Sequence, residues 1–486
     1  MTNVFSILYI LWSIRIIGNV VSFAQLWWVK EYRWDRMVIH LGTRQGRFVY
    51  FLPWKRPRIS PKSVLLIVLT LFMLFAFVLL SGFPPPAAFL LADLLSFPLT
   101  FLVVGILYVP TFFYHRSVIS KARKMLRAQH LTVIGITGSY GKTSTKEYLA
   151  AILSVRYRTL KTEASKNAPI GISEVVVSRL QNAHEMFVVE MGAYKKGEIA
   201  FMADLVRPEI AVVTAINAQH QDLFGSIENT MHAKYELVAG LSGKRIAVMN
   251  ADDKRVREMG DWAKKDGVIV WWYTAGEASE ENEPVFRASE IQSGQGGVSF
   301  VCSFGKQKER IHAPVVGMHQ AGNITAAIAA AVAAGMPFTE AARAASHITP
   351  VEHMLVMKKG IGGIRIIDDT FNNNPDAAKA ALDVLAKEHG KKFLVFQPMI
   401  ELGKYAEESH EDVGAYAGKM CDEVILTNRN YYDAFLRGVR KSSQKIPVAV
   451  LGPNAAATYL REKTRPGDTV LCKSKEAALV VRRLEI

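Results

Sequence analysis

Cysteine is scarce in this chain. Three occur in 486 residues, Cys302, Cys421 and Cys472, and their wide spacing gives neither a metal pattern nor a disulfide framework. They read as ordinary thiols in a reducing compartment. Acidic residues are nearly missing from one region: residues 1–130 hold Glu31, Asp35 and Asp93 against fifteen Lys and Arg, a balance of +12. The remainder carries 44 basic and 41 acidic residues, only +3. The total of +15 is therefore no sign of a nucleic-acid groove. It belongs to an apolar N-terminal part and suits anionic lipid headgroups. Internal repeats are absent as well.

What is present at the start is long apolar runs. Residues 3–29, 64–83 and 87–114 are each long enough to cross about 30 Å of hydrocarbon at roughly 1.5 Å per residue. The first lacks a basic leading segment and is too long for a cleaved signal peptide. Residues 30–62 carry nine Lys and Arg, the turn Phe83-Pro84-Pro85-Pro86 carries no charge, and Arg116, Lys121, Arg123, Lys124 and Arg127 follow the third run. The positive-inside rule then predicts an outer N-terminus and a cytoplasmic location for everything after residue 115. Trp27 and Trp28 fall where an interfacial aromatic belt is expected. Arg15 and Asp93 lie inside runs, a costly placement. Snorkelling is the favoured reading, with mutual pairing or a lipid phosphate as alternatives.

From residue 131 the pattern alternates between strand and helix, as in an α/β protein. Leu131–Thr137, Met186–Val189 and Ile210–Ile216 are continuous apolar runs of strand length, suited to a parallel sheet covered on both faces. A second such pattern starts near 350, with strands at 364–367, 393–396, 423–426 and 469–471 and a helix at 375–385. Residues 293–305 read as a hairpin at a sheet edge. The expected division is a membrane region with three transmembrane helices (1–115), a basic linker (116–130), a P-loop ATPase central domain (131–348) and a smaller α/β C-terminal domain (349–486).

Between the first strand and a helix stands Gly135-Ile136-Thr137-Gly138-Ser139-Tyr140-Gly141-Lys142-Thr143-Ser144. Strand, glycine loop and helix form a phosphate cradle, in which backbone N–H groups and the positive end of the helix meet phosphate oxygens. Gly138, Ser139, Gly141, Lys142, Thr143 and Ser144 are the candidate nucleotide contacts. Lys142 would reach the terminal phosphates and Thr143 would hold Mg²⁺. The usual spacing asks for glycine at 136, where isoleucine stands.

That irregular loop resembles T-G-x-x-G-K-[ST]-[ST] of the Mur ligases. Further segments are similar to the same family in the same order: Glu190-Met191-Gly192-Ala193 with Gly197-Glu198-Ile199, the stretch from Asn217 to Glu236, Gly317-Met318-His319 with Asn323, Asp368 to Pro375, and Glu401-Leu402-Gly403. The resemblance runs from about 131 to 486 and is greatest to the member that adds D-alanyl-D-alanine to a muramoyl tripeptide.

The resemblance implies ATP-driven amide formation through an acyl phosphate, in which positioning and charge neutralisation dominate. It implies two Mg²⁺ ions, one held by Thr143 and Glu190 and one by His220 and Lys234. Lys234 would be carbamylated by CO₂, which needs an amine with a depressed pKa. Lys142, Glu190, His220 and Lys234 are thus the candidate catalytic residues. Asn323 resembles an adenine contact and Asp369 a ribose contact, with Asn372 of the same motif also assigned to the nucleotide. Ser165 and Asn167 of a loop after the first helix, with Asn374 and Glu401, are the candidate substrate contacts. The implied partners are ATP, an amino-acid or dipeptide amine, a carboxylate acceptor of cell-wall-precursor type and membrane lipid, with no nucleic acid.

Three features depart from the family pattern. Met354 stands where an arginine usually meets phosphate, so His353 or another cation must substitute or turnover must be weaker. Lys473-Ser474-Lys475 lacks the glycine of the usual K-G-S. Membrane spans occupy the place of the domain that grips a UDP-sugar. Three readings therefore remain open: a membrane-anchored ligase of muramoyl peptides, a ligase of another acceptor such as polyglutamate or a lipid-linked glycopeptide, and a non-catalytic nucleotide-binding scaffold.

Overall fold

The computed structural model describes residues 2–486 apart from 31, 43–45, 52–53, 58, 164–165, 194, 218–224, 277–284, 295, 401 and 443–444. Two compact units are present, Met1–Ser117 and Val118–Ile486.

The first unit is helical. It holds α1 (Thr2–Val29), α2 (Trp34–Gly42), α3 (Pro61–Leu80) and most of α4 (Pro85–Arg127). Helices α1, α3 and α4 are each long and apolar enough to cross a membrane. Ser60 and Ser63 form a reciprocal cap at the start of α3, with Pro61 in its first turn. Phe23, Trp27, Met37, Leu66, Phe97 and Val104 pack together inside the unit. Two expectations are corrected here. Arg15 does not simply snorkel: its Nε donates to Asp93 Oδ2 at 2.8 Å, and Asn19 Nδ2 donates to Asp93 Oδ1 at 3.0 Å. A carboxylate surrounded by apolar helices keeps its charge only with such partners. Trp27 is fully buried and donates to Thr100 Oγ1 at 2.7 Å, so it belongs to the bundle interior rather than to a surface belt.

The second unit contains two sheets. The larger has nine strands: β1 (Thr132–Thr137), β2 (Thr159–Lys161), β3 (Met186–Glu190), β4 (Ile210–Val213), β5 (Ile246–Asn250), β6 (Ile269–Thr274), β7 (Val285–Gly294), β8 (Gly297–Phe304) and β9 (Gln307–Ala313), in the order β2-β3-β1-β4-β5-β6-β7-β8-β9. Pairing is parallel from β2 through β7, and β7, β8 and β9 are antiparallel. The hairpin expected at 293–305 is longer and lies one strand further in: β7 and β8 pair from Phe286 to Phe304, and β9 forms the sheet edge. Alternate residues enter different cores: Ile134, Ile136, Val188 and Val212 face one, Val133, Val189, Ala211 and Val213 the other. Cover on both faces is why these strands are apolar without interruption. The alanine-rich helix Gln320–Ala333 is buried on nearly every side in the first core.

The smaller sheet comprises β10 (Val356–Lys359), β11 (Arg365–Asp369), β12 (Lys392–Phe396), β13 (Glu423–Leu426), β14 (Val448–Val450) and β15 (Thr469–Lys473), ordered β10-β11-β15-β12-β13-β14. Only β10 is antiparallel to its neighbour. In the larger sheet β1 lies between β3 and β4, so connections leave it in opposite directions. The crevice beyond the carboxyl end of such a strand is where open α/β sheets bind ligands.

Candidate active site

The glycine loop leaves β1 into that crevice and enters helix α5 (Lys142–Leu153). Its glycines are required by contact. A Cβ at Gly138 would lie 1.9 Å from Thr214 Oγ1, and one at Gly141 would lie 2.7 Å from Asn323 Oδ1. Gly141 also has φ +79°, a left-handed conformation that glycine adopts freely. Gly135, the glycine at the irregular position, serves packing instead: a Cβ there would meet Leu237 at 2.6 Å. Its absence of a side chain lets the helix Ile227–Ala239 approach β1. The loop is further held by Ser139 N–H donating to the Ala215 carbonyl at 2.6 Å and by Asn217 N–H donating to Ser139 Oγ at 3.0 Å.

Lys142 curls back over this loop, donating to the Gly138 carbonyl at 2.7 Å. Burial lowers its pKa while Glu190 opposes the shift. Glu190 ends β3 and is 2 % exposed. It accepts from Thr143 Oγ1 at 2.9 Å and from Asn167 Nδ2 at 3.1 Å. A buried hydroxyl and carboxylate in contact are suitable donors for a hard dication that takes its other ligands from phosphate and water. Lys234 projects from the helix Ile227–Ala239 and is 2 % exposed. Burial, and next the nearby Lys142 charge, hold its pKa well below the ordinary lysine range. Such a shift favours the neutral amine over the ammonium. His220, Ser165 and Glu401 lie outside the described residues.

A cavity of about 380 Å³ opens on the loop and is lined from both sheets. Ser139, Gly141, Lys142, Thr143, Ser144 and Asn323 line it from one side, and Asp369, Asn372 and Asn374 from the other. Asn374 is also a structural cap: its Oδ1 accepts from Ala377 N–H at 2.9 Å at the start of the helix Pro375–Ala386. Met354 lines the cavity with its sulfur 3.6 Å from Ser144 Oγ. His353 turns away, its Nδ1 2.9 Å from Asp368 Oδ2. The cation that does line the cavity from the C-terminal side is Lys473, which is 2 % exposed and bonded to Asp369. His319, in the same wall, has its pKa pushed down to about 4 by burial and by the Lys473 charge, against Asp383. It is neutral at physiological pH. The two sides are also tied by Asn217 Nδ2 donating to Asp376 Oδ2 at 2.8 Å.

Sequence reasoning missed Lys473, Asp376 and Lys146. Lys146 is fully buried one helical turn after Lys142, with its Nζ 3.4 Å from Glu190 Oε2. Its spacing of four from the loop lysine was the available signal.

The family models for the Mur ligase middle domain and the Mur ligase, glutamate ligase domain match residues 136–331 and 354–476. The UDP-N-acetylmuramoyl-tripeptide–D-alanyl-D-alanine ligase of Bacillus subtilis is 31 % identical over 356 residues, covering 73 % of this chain and 75 % of that protein. The chain belongs to the Mur ligase family. The enzyme of the same name from Escherichia coli is 33 % identical over 289 residues, and there the match spans 59 % of this chain and 62 % of the relative's length. Among solved structures, MurF from Acinetobacter baumannii superposes with a TM-score of 0.67 at 25 % identity, over 76 % of this chain and 79 % of that one. MurF ligase from Thermotoga maritima in complex with ADP shares the fold, with a TM-score of 0.63 at 23 % identity over 76 % and 82 %. Neither Mur ligase family model extends to residues 1–135.

Proposed function

We propose that this Mur ligase is a membrane-anchored, ATP-dependent ligase that joins an amine, D-alanyl-D-alanine or another amino acid, to the carboxylate of a muramoyl-peptide precursor. The observation that carries the reading is that Lys142 and Thr143 line a cavity walled by both sheets, with Glu190 hydrogen-bonded to Thr143 beside it, in a chain 31 % identical to such a ligase over most of both lengths. The loop N–H groups and Lys142 orient the nucleotide and offset charge as the γ-phosphoryl group moves to the acceptor carboxylate. That carboxylate becomes an acyl phosphate, and the amine then displaces phosphate. Asn323 and Asp369 grip the nucleotide from opposite walls, so wall closure excludes water that would hydrolyse the acyl phosphate. Thr143 and Glu190 would hold one magnesium ion, and His220 with carbamylated Lys234 a second, and these ions would supply neutralisation of phosphate charge. Lys234 reacts with CO₂ by forming an N–C bond and releasing a proton, which turns an amine into an oxygen donor.

Residues 1–115 act as a three-span anchor in the cytoplasmic membrane, and the catalytic domains, 131–348 and 349–486, lie in the cytoplasm. Support comes from three helices long and apolar enough to span and from the basic flanks of those helices. The same region supports a second reading of the substrate. A helical unit in place of a matched sugar-nucleotide domain favours an acceptor carried by lipid. Phosphate release by the full-length protein, measured over a panel of acceptors and amines, tests both. Product from UDP-muramoyl tripeptide and D-alanyl-D-alanine supports the first reading. Product only from lipid-linked acceptors supports the second, and no acceptor-dependent turnover with any pair removes both.

A further inference from the structure

Glu190 sits at the end of a chain of alternating charge whose inner pair, Lys146 and Glu190, is buried and whose outer pair, Lys161 and Glu147, is partly exposed. Lys161 on β2 pairs with Glu147. Glu147 Oε1 lies 3.2 Å from Lys146 Nζ, which lies 3.4 Å from Glu190 Oε2. The Lys146 side chain is 0 % exposed and that of Glu190 2 %. The end of β3 is fixed as well, because Glu190 N–H donates to Thr162 Oγ1 at 3.0 Å. The four charges sum to zero. Glu190, the carboxylate assigned to the first magnesium ion, is therefore already balanced before any cation arrives.

Two consequences follow from this balance. A buried ammonium beside a carboxylate weakens its attraction for a further cation, strongly so at low local dielectric. Thr143 and Glu190 also offer few oxygens for an ion that takes six ligands, and among the described residues no group of three His, Cys, Asp or Glu side chains is placed to hold a metal. Nucleotide phosphates must then supply both the missing charge and the missing ligands. We infer that Lys146 is a positioning residue that makes metal loading conditional on nucleotide, holding Glu190 oriented yet unable to capture a free divalent cation. Metal and nucleotide thus enter together. The inference rests on the assignment of Thr143 and Glu190 as metal ligands.

The test is Mn²⁺ binding to the full-length protein in detergent, followed by electron paramagnetic resonance with and without a non-hydrolysable ATP analogue. The native protein is expected to bind Mn²⁺ at this site only with the analogue. Lys146→Met should raise nucleotide-free Mn²⁺ affinity by about tenfold or more, while Lys146→Arg, which keeps the charge, should stay close to native. Lys146→Met removes the cation shared by Glu147 and the buried Glu190, so Lys146→Met/Glu147→Gln provides a variant with less repulsion and the same expected gain. Native behaviour of both Met-containing variants overturns the role of Lys146. Glu190→Gln separates this from the underlying assignment: it should lose analogue-dependent Mn²⁺ binding, and native binding by that variant overturns the metal assignment itself.

Discussion

The sulfur of Met354 lies 3.6 Å from the hydroxyl of Ser144, in the first turn of the phosphate-loop helix. The segment that brings it there is bent sharply: His353 and Leu355 on either side have φ of +64° and +53°. Both are unfavourable for residues with a Cβ and are held by the surrounding structure. A thioether at this place cannot neutralise phosphate. Met354→Arg is therefore expected to tighten ATP and ADP binding by about 1–2 kcal/mol, roughly five- to thirtyfold in Kd, with no gain for adenosine. Calorimetry with the three ligands checks this. Equal effects on all three, or none, would place the methionine outside phosphate contact.

Ser474 follows the buried Lys473 with φ +77° and ψ +167°, a region that glycine occupies easily and other residues at a cost. The glycine of the K-G-S pattern that this segment resembles would thus have a conformational reason. Serine is retained here with its Oγ donating to Gln397 Oε1 at 2.9 Å and its N–H donating to the Asp369 carbonyl at 3.1 Å. Relief of strain opposes loss of one side-chain hydrogen bond of about 1 kcal/mol. Strain of about 1–3 kcal/mol is the larger effect, so Ser474→Gly should raise the denaturation midpoint. A lower midpoint would show that the Gln397 bond outweighs the backbone strain.

The fold was legible wherever a strand is buried on both faces. Met186–Val189 and Ile210–Val213 are continuous apolar runs because both cores claim alternate residues, whereas β2, Thr159–Lys161, is short and mostly half-buried and leaves no such run. The phosphate loop was legible because few residue types fit it. The lysines were not. Lys146 and Lys473 look in sequence like solvated lysines, and only the packing of α5 on β3 and the pairing of Asp369 with Lys473 across β11 and β15 reveal their burial. Arg15 and Asp93 are 78 residues apart, too far for spacing to disclose a pair.

Lys234 should make activity depend on CO₂. In carbonate-depleted buffer the rate should fall, and added bicarbonate should restore it. Lys234→Ala should lack activity at any bicarbonate concentration, and a rate equal to native would remove the second metal from the mechanism.

The same residue predicts a cost in stability. Its folded pKa lies well below its ordinary value of 10.5 because of burial and the Lys142 charge. Between those two values the unfolded chain binds more protons, so stability rises with pH through that window. In CO₂-free buffer, Lys234→Met should raise the unfolding free energy at pH 7 by about 1–3 kcal/mol, with a higher denaturation midpoint, and flatten its rise toward pH 9. A midpoint below native would mean that Lys234 is well accommodated as a charge.

The polar cluster inside the helical unit gives a prediction independent of catalysis. Asp93 accepts from Arg15, Asn19 and Trp12, and Asn19 accepts in turn from Trp54 Nε1 at 3.1 Å. Arg15→Leu removes the only cation paired with Asp93 among the described residues, and Asp93→Leu strands the guanidinium. Arg15→Leu should cost about 3–5 kcal/mol because it leaves the buried Asp93 carboxylate without its cation, Asp93→Leu should cost less because the stranded Arg15 is half-exposed, and replacing both partners by leucine is close to neutral. The double variant should therefore be more stable than either single one in a detergent unfolding cycle. Additive losses would instead mean that each residue is solvated by itself, as expected if arginine reached the headgroups and the carboxylate met water. The 2.8 Å contact between Arg15 Nε and Asp93 Oδ2 is the ground for expecting coupling.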